Sequence, residues 1–255
     1  MAGTGGQAPT LPSPFILVAH DCVGSTSDEA KTLASAGAQH GTLVWALEQT
    51  GGRGRLDRRW VSPRGNLFAS IVLRPEAPPA QAAELGFVAA LAVAETIERF
   101  AGPDHVRLKW PNDVLAGGSK IAGILLEARS GSSGLVDWVV LGIGINIVAA
   151  PSGTPYPATC LAQLTMAVPP VGEVLKALAA SLAMWLGIWE SRGFSPIRDA
   201  WLGKACGLGD PLQVRQGEDE LSGRFLDLDL DGALVLETAS GIRRITAGDV
   251  YFPAV

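Results

Sequence analysis

Three observations predict an α+β protein that carries a small all-β unit at its C-terminal end. Short apolar runs of strand length occur at 15–19, 41–47, 66–74, 106–109 and 138–147. Long alanine- and leucine-rich runs at 80–100 and 171–190, and a shorter one at 195–205, have helical spacing. From 210 onward the pattern changes to short segments at 212–215, 221–228, 233–237, 242–245 and 250–252, separated by Gln216-Gly217, Asp231-Gly232 and Gly241. Asp231-Gly232 between alternating runs is a hairpin signal. The C-terminal unit has the size of an SH3-like barrel. The chain therefore divides into 1–14, 15–206 and 207–255.

The first strand, 15–19, follows a Gly/Pro/Ser/Thr-rich segment at 1–14 that is expected to lack structure. Ser25 with Asp28 three residues on reads as a helix N-cap with an acidic first turn, leading into 30–36. The same hydroxyls also suit a ligand's polar atoms. The strand at 41–47 delivers the segment 48–60, which holds four arginines and three glycines. Glycine allows close backbone approach, and arginine offers a planar fork of donors for carboxylates and phosphates. This loop is either a solvated surface or a specific anion site. The helix at 80–100 packs the core and is assigned no chemistry; Gly102-Pro103 ends it.

Pro111 biases Trp110 to an extended conformation, and Asn112-Asp113 suits a turn. Asp113 there, with Lys109 and Lys120 nearby in sequence, is equipment for handling a Mg-nucleotide and a carboxylate substrate. At 141–147, period-two reading places Leu141, Ile143, Ile145 and Ile147 on one face and Gly142, Gly144 and Asn146 on the other. The apolar face should pack on helices. A glycine face costs stability unless something lies close against it, a flat ligand or another backbone segment.

At 255 residues with 47% hydrophobic content the chain can bury a sizeable core. Its net charge of −5 disfavours non-specific nucleic-acid binding. Cys22, Cys160 and Cys206 are odd in number and widely spaced, so they read as reduced, buried thiols rather than a disulfide or zinc framework. The N-terminus has no signal-peptide pattern, and no run reaches the ~18 apolar residues of a membrane span. The cytoplasm is the expected compartment.

The motifs in order are Gly52-Arg53-Gly54-Arg55, then 60–67 (WVSPRGNL), 109–113 (KWPND), 120–127 (KIAGILLE) and 142–146 (GIGIN), with a β-rich tail ending in Ala247-Gly248-Asp249-Val250. In this combination the sequence resembles the biotin protein ligases, over roughly 15–252. The resemblance implies a fold of the class II aminoacyl-tRNA synthetase and biotin ligase kind: a mixed central sheet with flanking helices and an SH3-like C-terminal barrel. It implies an ATP- and magnesium-dependent ligase that converts biotin to biotinyl-5′-AMP, then transfers biotin to a lysine of a biotin carboxyl carrier protein domain. It also implies roles. Lys120, Arg53, Arg55 and Asp113 would be catalytic, with Asp113 holding Mg²⁺. Ser25, Thr26, Gln49, Gly52, Arg53, Arg55, Lys120, Gly123, Gly142 and Gly144 would bind biotin. Arg55, Trp60, Lys109, Asn112, Asp113 and Asn146 would bind the nucleotide. A lipoate or octanoate transferase, or a non-catalytic binding module, is the alternative of the same fold.

Two departures stand out. Family members often read GRGRRGR, whereas Leu56-Asp57 here removes one cation and adds one anion. Near Ser25-Thr26 the family usually has Asn, and here it is Ser27. Some members carry an N-terminal winged helix for operator DNA; the fourteen residues before Phe15 are too few for one, so no DNA role is expected. A homodimer through sheet edges is compatible with the resemblance, and no patch in the sequence decides it.

Overall fold

The structure is a computed structural model and describes residues 9–103, 105–154 and 156–252, the side chain of Asp57 excepted. The described elements run β1 (Ile16–His20), α1 (Thr26–Ser35), β2 (Thr42–Ala46), β3 (Leu67–Leu73), α2 (Pro79–Ala82), α3 (Leu85–Ala101), β4 (Val106–Lys109), β5 (Asp113–Ala116), β6 (Ser119–Ser130), β7 (Val136–Ile145), α4 (Val171–Arg192), α5 (Phe194–Leu202), β8 (Pro211–Gln216), β9 (Asp219–Leu228), β10 (Leu234–Thr238), β11 (Gly241–Ile245) and β12 (Asp249–Tyr251). Every strand and helix expected from the apolar periodicity is present, with shifts of a few residues at the ends.

Seven strands form one sheet in the order β1-β2-β3-β7-β6-β5-β4. Only β1–β2 is parallel, so the sheet is mixed, as expected. Alternation sends Leu67, Ala69, Ile71 and Leu73 of β3, and Leu141, Ile143 and Ile145 of β7, to one face, where they join the core built on α3, α4 and α5. The opposite face is covered only in part. Ala30 and Ala34 of α1 pack on Val44, Val72 and Val140 there. The same face reaches Gly142 under Ser27 of α1, and beyond it Gly123 and Gly144, which lie against Trp60 rather than a helix. The register sets Gly144 beside both Phe68 and Gly123, and Gly142 beside Ser70 and Leu125. The bare strip thus spans two adjacent strands.

Two expectations are corrected. The long helix expected at 80–100 is two helices. Gly86 N–H bonds Ala83 O at 3.1 Å and Phe87 N–H bonds Glu84 O at 2.9 Å, the tight i→i−3 pattern that interrupts an α-helix. The buried Glu84 carboxylate accepts the Trp189 indole N–H at 2.6 Å, which fixes this bend against α4. Asp113 opens β5 rather than lying in the turn, which leaves the turn to Pro111 and Asn112. The C-terminal strands form the antiparallel sheet β11-β10-β9-β8-β12, consistent with the expected SH3-like barrel, although its edges β11 and β12 do not pair.

The N-terminal expectation falls partly on 1–8, outside the described residues; of 9–14, Leu11 packs against the core. Cys22 is exposed and only Cys160 fully buried, since Cys22 precedes α1 in a surface bend; all three thiols are free. By length and composition 79–101 and α4 could each cross a membrane, but here they pack against each other and the sheet.

The β9–β10 hairpin fastens the C-terminal sheet to the larger one. The Trp110 indole N–H donates to Gly232 O at 3.1 Å. A Cβ on Gly232 would lie 2.5 Å from the Phe87 ring, so this turn takes only glycine. Phe87 in turn meets Phe194 and Trp201 edge-on at 5.3 and 5.6 Å between centroids. This docking brings β12 to the edge of the bare strip.

Candidate active site

A cavity of about 530 Å³ lies over the glycine strip, between α1, the 48–60 loop, the segment after β7 and β12. Its size suits a small-molecule site. One end is polar. Ser25 caps α1, its Oγ accepting from Asp28 N–H at 3.4 Å. Gln49 Oε1 accepts from Thr26 N–H at 2.7 Å and from Thr26 Oγ1 at 3.0 Å. Ser70 Oγ lies 2.8 Å from Thr26 Oγ1 and 3.1 Å from Ser27 Oγ, and Gln49 Nε2 donates to Ser62 Oγ at 2.9 Å. Buried hydroxyls and an amide so connected are pre-oriented for a ligand that both donates and accepts.

The cavity floor is the glycine strip, and part of its space is used by the chain. A Cβ on Gly144 would sit 2.5 Å from Nε1 and Cε2 of Trp60, and one on Gly142 would sit 2.6 Å from Ser27 Oγ. On Gly123 it would come within 3.1 Å of the Trp60 ring. The flat group lying on Gly144 and Gly123 is therefore the indole of Trp60. Its Nε1 is buried without a partner.

Positive charge gathers beside this floor. Lys120 on β6 places Nζ 2.5 Å from Asp113 Oδ1 and 5.6 Å from the centre of the Trp60 ring. Asn112 donates to Ile124 O at 2.8 Å and accepts from Arg55 Nη1 at 3.1 Å. Arg53 reaches the other way: its Nη2 lies 2.5 Å from Asp28 and 3.3 Å from Glu127, and Lys31 bonds the same Glu127 at 2.8 Å. Burial opposes ionisation of Asp28, yet Lys31 and Arg53 hold its carboxyl below the usual aspartate value. The loop itself is a folded ladder, with Gly54 N–H to Arg58 O at 2.7 Å, Trp60 N–H to Gly52 O at 2.9 Å, and a 3₁₀ turn at Arg55–Asp57.

The roof comes from residues the sequence reading did not assign. Tyr156 and Tyr251, the chain's two tyrosines, both line the cavity with ring centroids 5.4 Å apart. Burial raises the Tyr156 phenol well above its ordinary pKa. Arg58, Asp249 and Thr154 also line it. The rarity of tyrosine was one available signal, and the Gly248-Asp249 tail motif was a second. Only the fold shows that β12 reaches the loop.

Most expected site residues meet here: Ser25, Thr26, Gln49, Arg53, Arg55, Trp60, Asn112, Asp113, Lys120, Gly123, Gly142, Gly144 and Asn146 all line the cavity. Two do not. Gly52 is packed inside the loop, where a Cβ would meet Ser62 Oγ and Trp60 O at 2.5 Å. Lys109 is buried behind Tyr156, its Nζ 4.0 Å from that ring's centre, and burial lowers its pKa despite the attraction of Asp113. Asn146 donates to Thr159 O at 3.1 Å and leaves Oδ1 buried and unpartnered.

Magnesium finds a thin donor set. Among the described residues no three His, Cys, Asp or Glu side chains cluster. Asp113 is already paired with Lys120, and Asp249 with Arg58. The described residues alone build no cage for a resident cation.

A mixed sheet with a glycine strip, a polar pocket at a helix start and convergent Lys and Arg suits the joining of a small carboxylate to a phosphate-bearing group. Comparison with known proteins agrees. The biotin/lipoate A/B protein ligase family model matches residues 20–146, and the biotin protein ligase C-terminal domain model matches 207–252. A biotin--[acetyl-CoA-carboxylase] ligase of Paracoccus denitrificans is 43% identical over 89% of this chain and 97% of its own length. The bifunctional ligase/repressor BirA of Bacillus subtilis is 36% identical over 92% of this chain and 73% of its own length. The biotin protein ligase of Aquifex aeolicus, solved in complex with biotin and ATP, superposes with a TM-score of 0.80 at 29% identity, covering 92% of this chain and 97% of that one. The chain belongs to the biotin/lipoate protein ligase family and, within it, to the biotin protein ligases.

Proposed function

We propose that this protein is an ATP-dependent biotin protein ligase, which forms biotinyl-5′-AMP and passes the biotinyl group to a lysine of a biotin carboxyl carrier domain. The single observation that carries this reading is the cavity itself: a polar end at Thr26 and Gln49 lies across the glycine strip from the Lys120–Asp113 pair, as an acid with a ureido ring requires. A linear acyl chain has no use for that polar end, which favours biotin over lipoate.

In the first half-reaction a carboxylate oxygen of biotin attacks the α-phosphorus of ATP, and the bond to the β-phosphate oxygen breaks to release pyrophosphate. Two anions must approach, so the work lies in neutralising charge and in positioning. Lys120 is the cation placed to sit between them, and Asp113 fixes its Nζ. Arg53 and Arg55 would draw in from Asp28 and Asn112 to hold the phosphates. Asn146 Oδ1 would accept a hydrogen bond from the nucleotide. In the second half-reaction the neutral amine of the carrier lysine attacks the acyl carbon, AMP leaves and the nitrogen loses a proton. The closed loop would keep water from the anhydride. Magnesium would enter with the nucleotide, held mainly by phosphate oxygens with Asp113 the nearest carboxylate.

The expected carriers are subunits of acetyl-CoA, propionyl-CoA or pyruvate carboxylases, met in the cytoplasm, and DNA binding forms no part of this reading. The test is incubation with ATP, biotin and a purified carrier domain, followed by mass spectrometry of the carrier. One biotinyl group on the carrier lysine is expected. Lipoylation in its place would transfer the assignment to the lipoate branch of the family.

A further inference from the structure

We propose that Asp249 is a latch for the arginine loop: in the ligand-free protein its carboxylate holds Arg58 and Arg55, and the phosphates of the incoming nucleotide take those guanidinium groups from it. The proposal rests on the nucleotide reading of the cavity for its second half only.

The latch joins groups 191 residues apart, Nη2 of Arg58 and Oδ2 of Asp249. Arg55 Nη1 stands 3.9 Å from Asp249 Oδ1 and 3.4 Å from Gly248 O. Asp249 is the fixed partner. It opens β12, paired with Arg215 of β8. A Cβ on the preceding Gly248 would lie 2.8 Å from Val214 and 3.0 Å from Arg215 O, so the backbone there is held close against β8. The Asp249 side chain is only 17% exposed, whereas that of Arg58 is 57% exposed, so the arginine is the member free to move.

The chain thus places one of its own anions at the cavity wall, against two of the cations that line the cavity. A carboxylate offers a single charge, and a triphosphate several with more acceptor oxygens, so the exchange favours the nucleotide. The far end of the loop is tied separately, by Arg53 to Asp28 and Glu127. Nucleotide binding would therefore release the loop from the C-terminal sheet in a step separate from the withdrawal of Arg53 from Asp28. This gives the C-terminal sheet a task in the reaction: it presents the loop arginines, pre-gathered over the cavity, before the nucleotide arrives.

The test is amide hydrogen exchange of residues 51–60 in the full chain, read by mass spectrometry, with thermal unfolding run in parallel. In the ligand-free protein, Asp249→Asn and Arg58→Gln should each speed exchange of this segment about fivefold, as loss of a partly shielded ion pair implies. Asp249→Glu should restore much of the protection. Raising salt should speed exchange in the unsubstituted protein more than in the Asn variant, which keeps only the Arg53 ion pairs, a difference that a merely structural role would not produce. Exchange in Asp249→Asn equal to that of the parent chain, at an unchanged melting temperature, would overturn the latch. Addition of biotin and ATP should bring parent and Asn variant to the same protection. If they protect neither, the nucleotide reading fails while the latch, established without ligand, stands.

Discussion

Removing the Lys120 ammonium should damage chemistry far more than folding. Its Nζ lies 2.5 Å from Asp113, the side chains being 28% and 19% exposed, so the pair is partly solvated. Such a pair contributes about 1 kcal/mol to stability, which in a chain of this size corresponds to a fall in melting temperature of roughly 2–4 °C. At the transition state of adenylation the same charge faces the attacking carboxylate and the α-phosphate together. Loss of one preorganised electrostatic group costs about 10²–10³ in rate, or ~3–4 kcal/mol. Lys120→Ala also leaves Asp113 unpaired beside two further anions, which pushes the loss toward the upper figure. The assay is single-turnover formation of biotinyl-AMP at saturating biotin and ATP, beside a thermal melt. An adenylation rate within threefold of the parent chain would refute the reasoning.

Three further outcomes follow from the geometry. Gly144→Ala should weaken biotin binding and destabilise the fold by about 1–3 kcal/mol, because its Cβ enters the Trp60 ring at 2.5 Å; Gly123→Ala, with 3.1 Å, should do less, and calorimetry with a melt would rank them. Asp28 is held below its ordinary value of 3.8 with Lys31 and Arg53 as partners. A lowered carboxyl stabilises fully above the unfolded value and loses that contribution as pH falls through the folded one, so Asp28→Asn should flatten the dependence of stability on pH below about pH 4; an unaltered acid limb would count against it. Leu56 is the one described non-glycine residue with positive φ, 52°, and is 71% exposed, so it can be changed without loss of packing. Leu56→Arg with Asp57→Gly should slow dissociation of biotinyl-AMP, measured by competition with unlabelled ligand, and an unchanged rate would make that departure neutral.

Local signals placed almost every element, because apolar periodicity and turn chemistry are properties of neighbouring residues. The glycine face of β7 was legible for the same reason, as was its need for a close-packed occupant. That the occupant of Gly144 is Trp60 depends on how the 48–60 loop folds back, which no local pattern encodes. The break at Ala83–Glu84 is settled by a hydrogen bond to Trp189 on α4, a partner 105 residues away. The open C-terminal sheet has the same cause, since pairing of β11 with β12 is a matter of docking rather than of strand propensity. Motif order brought Lys120, Asp113, Arg55 and Gln49 to one cavity. It did not foresee that the Lys109 ammonium lies against the Tyr156 ring, outside the cavity lining, and gave no role to Tyr156, Tyr251 or Asp249, which lie in segments with weak local character. Arg53 was read as closing over the intermediate and the phosphates, and its present partners, Asp28 and Glu127, were not foreseen.

The most direct measurement is pyrophosphate exchange into ATP by the purified chain, with biotin, lipoate or no acid added. The cavity described here predicts exchange that requires biotin, is absent with lipoate and falls at least a hundredfold in Lys120→Ala. No biotin-dependent exchange would contradict it.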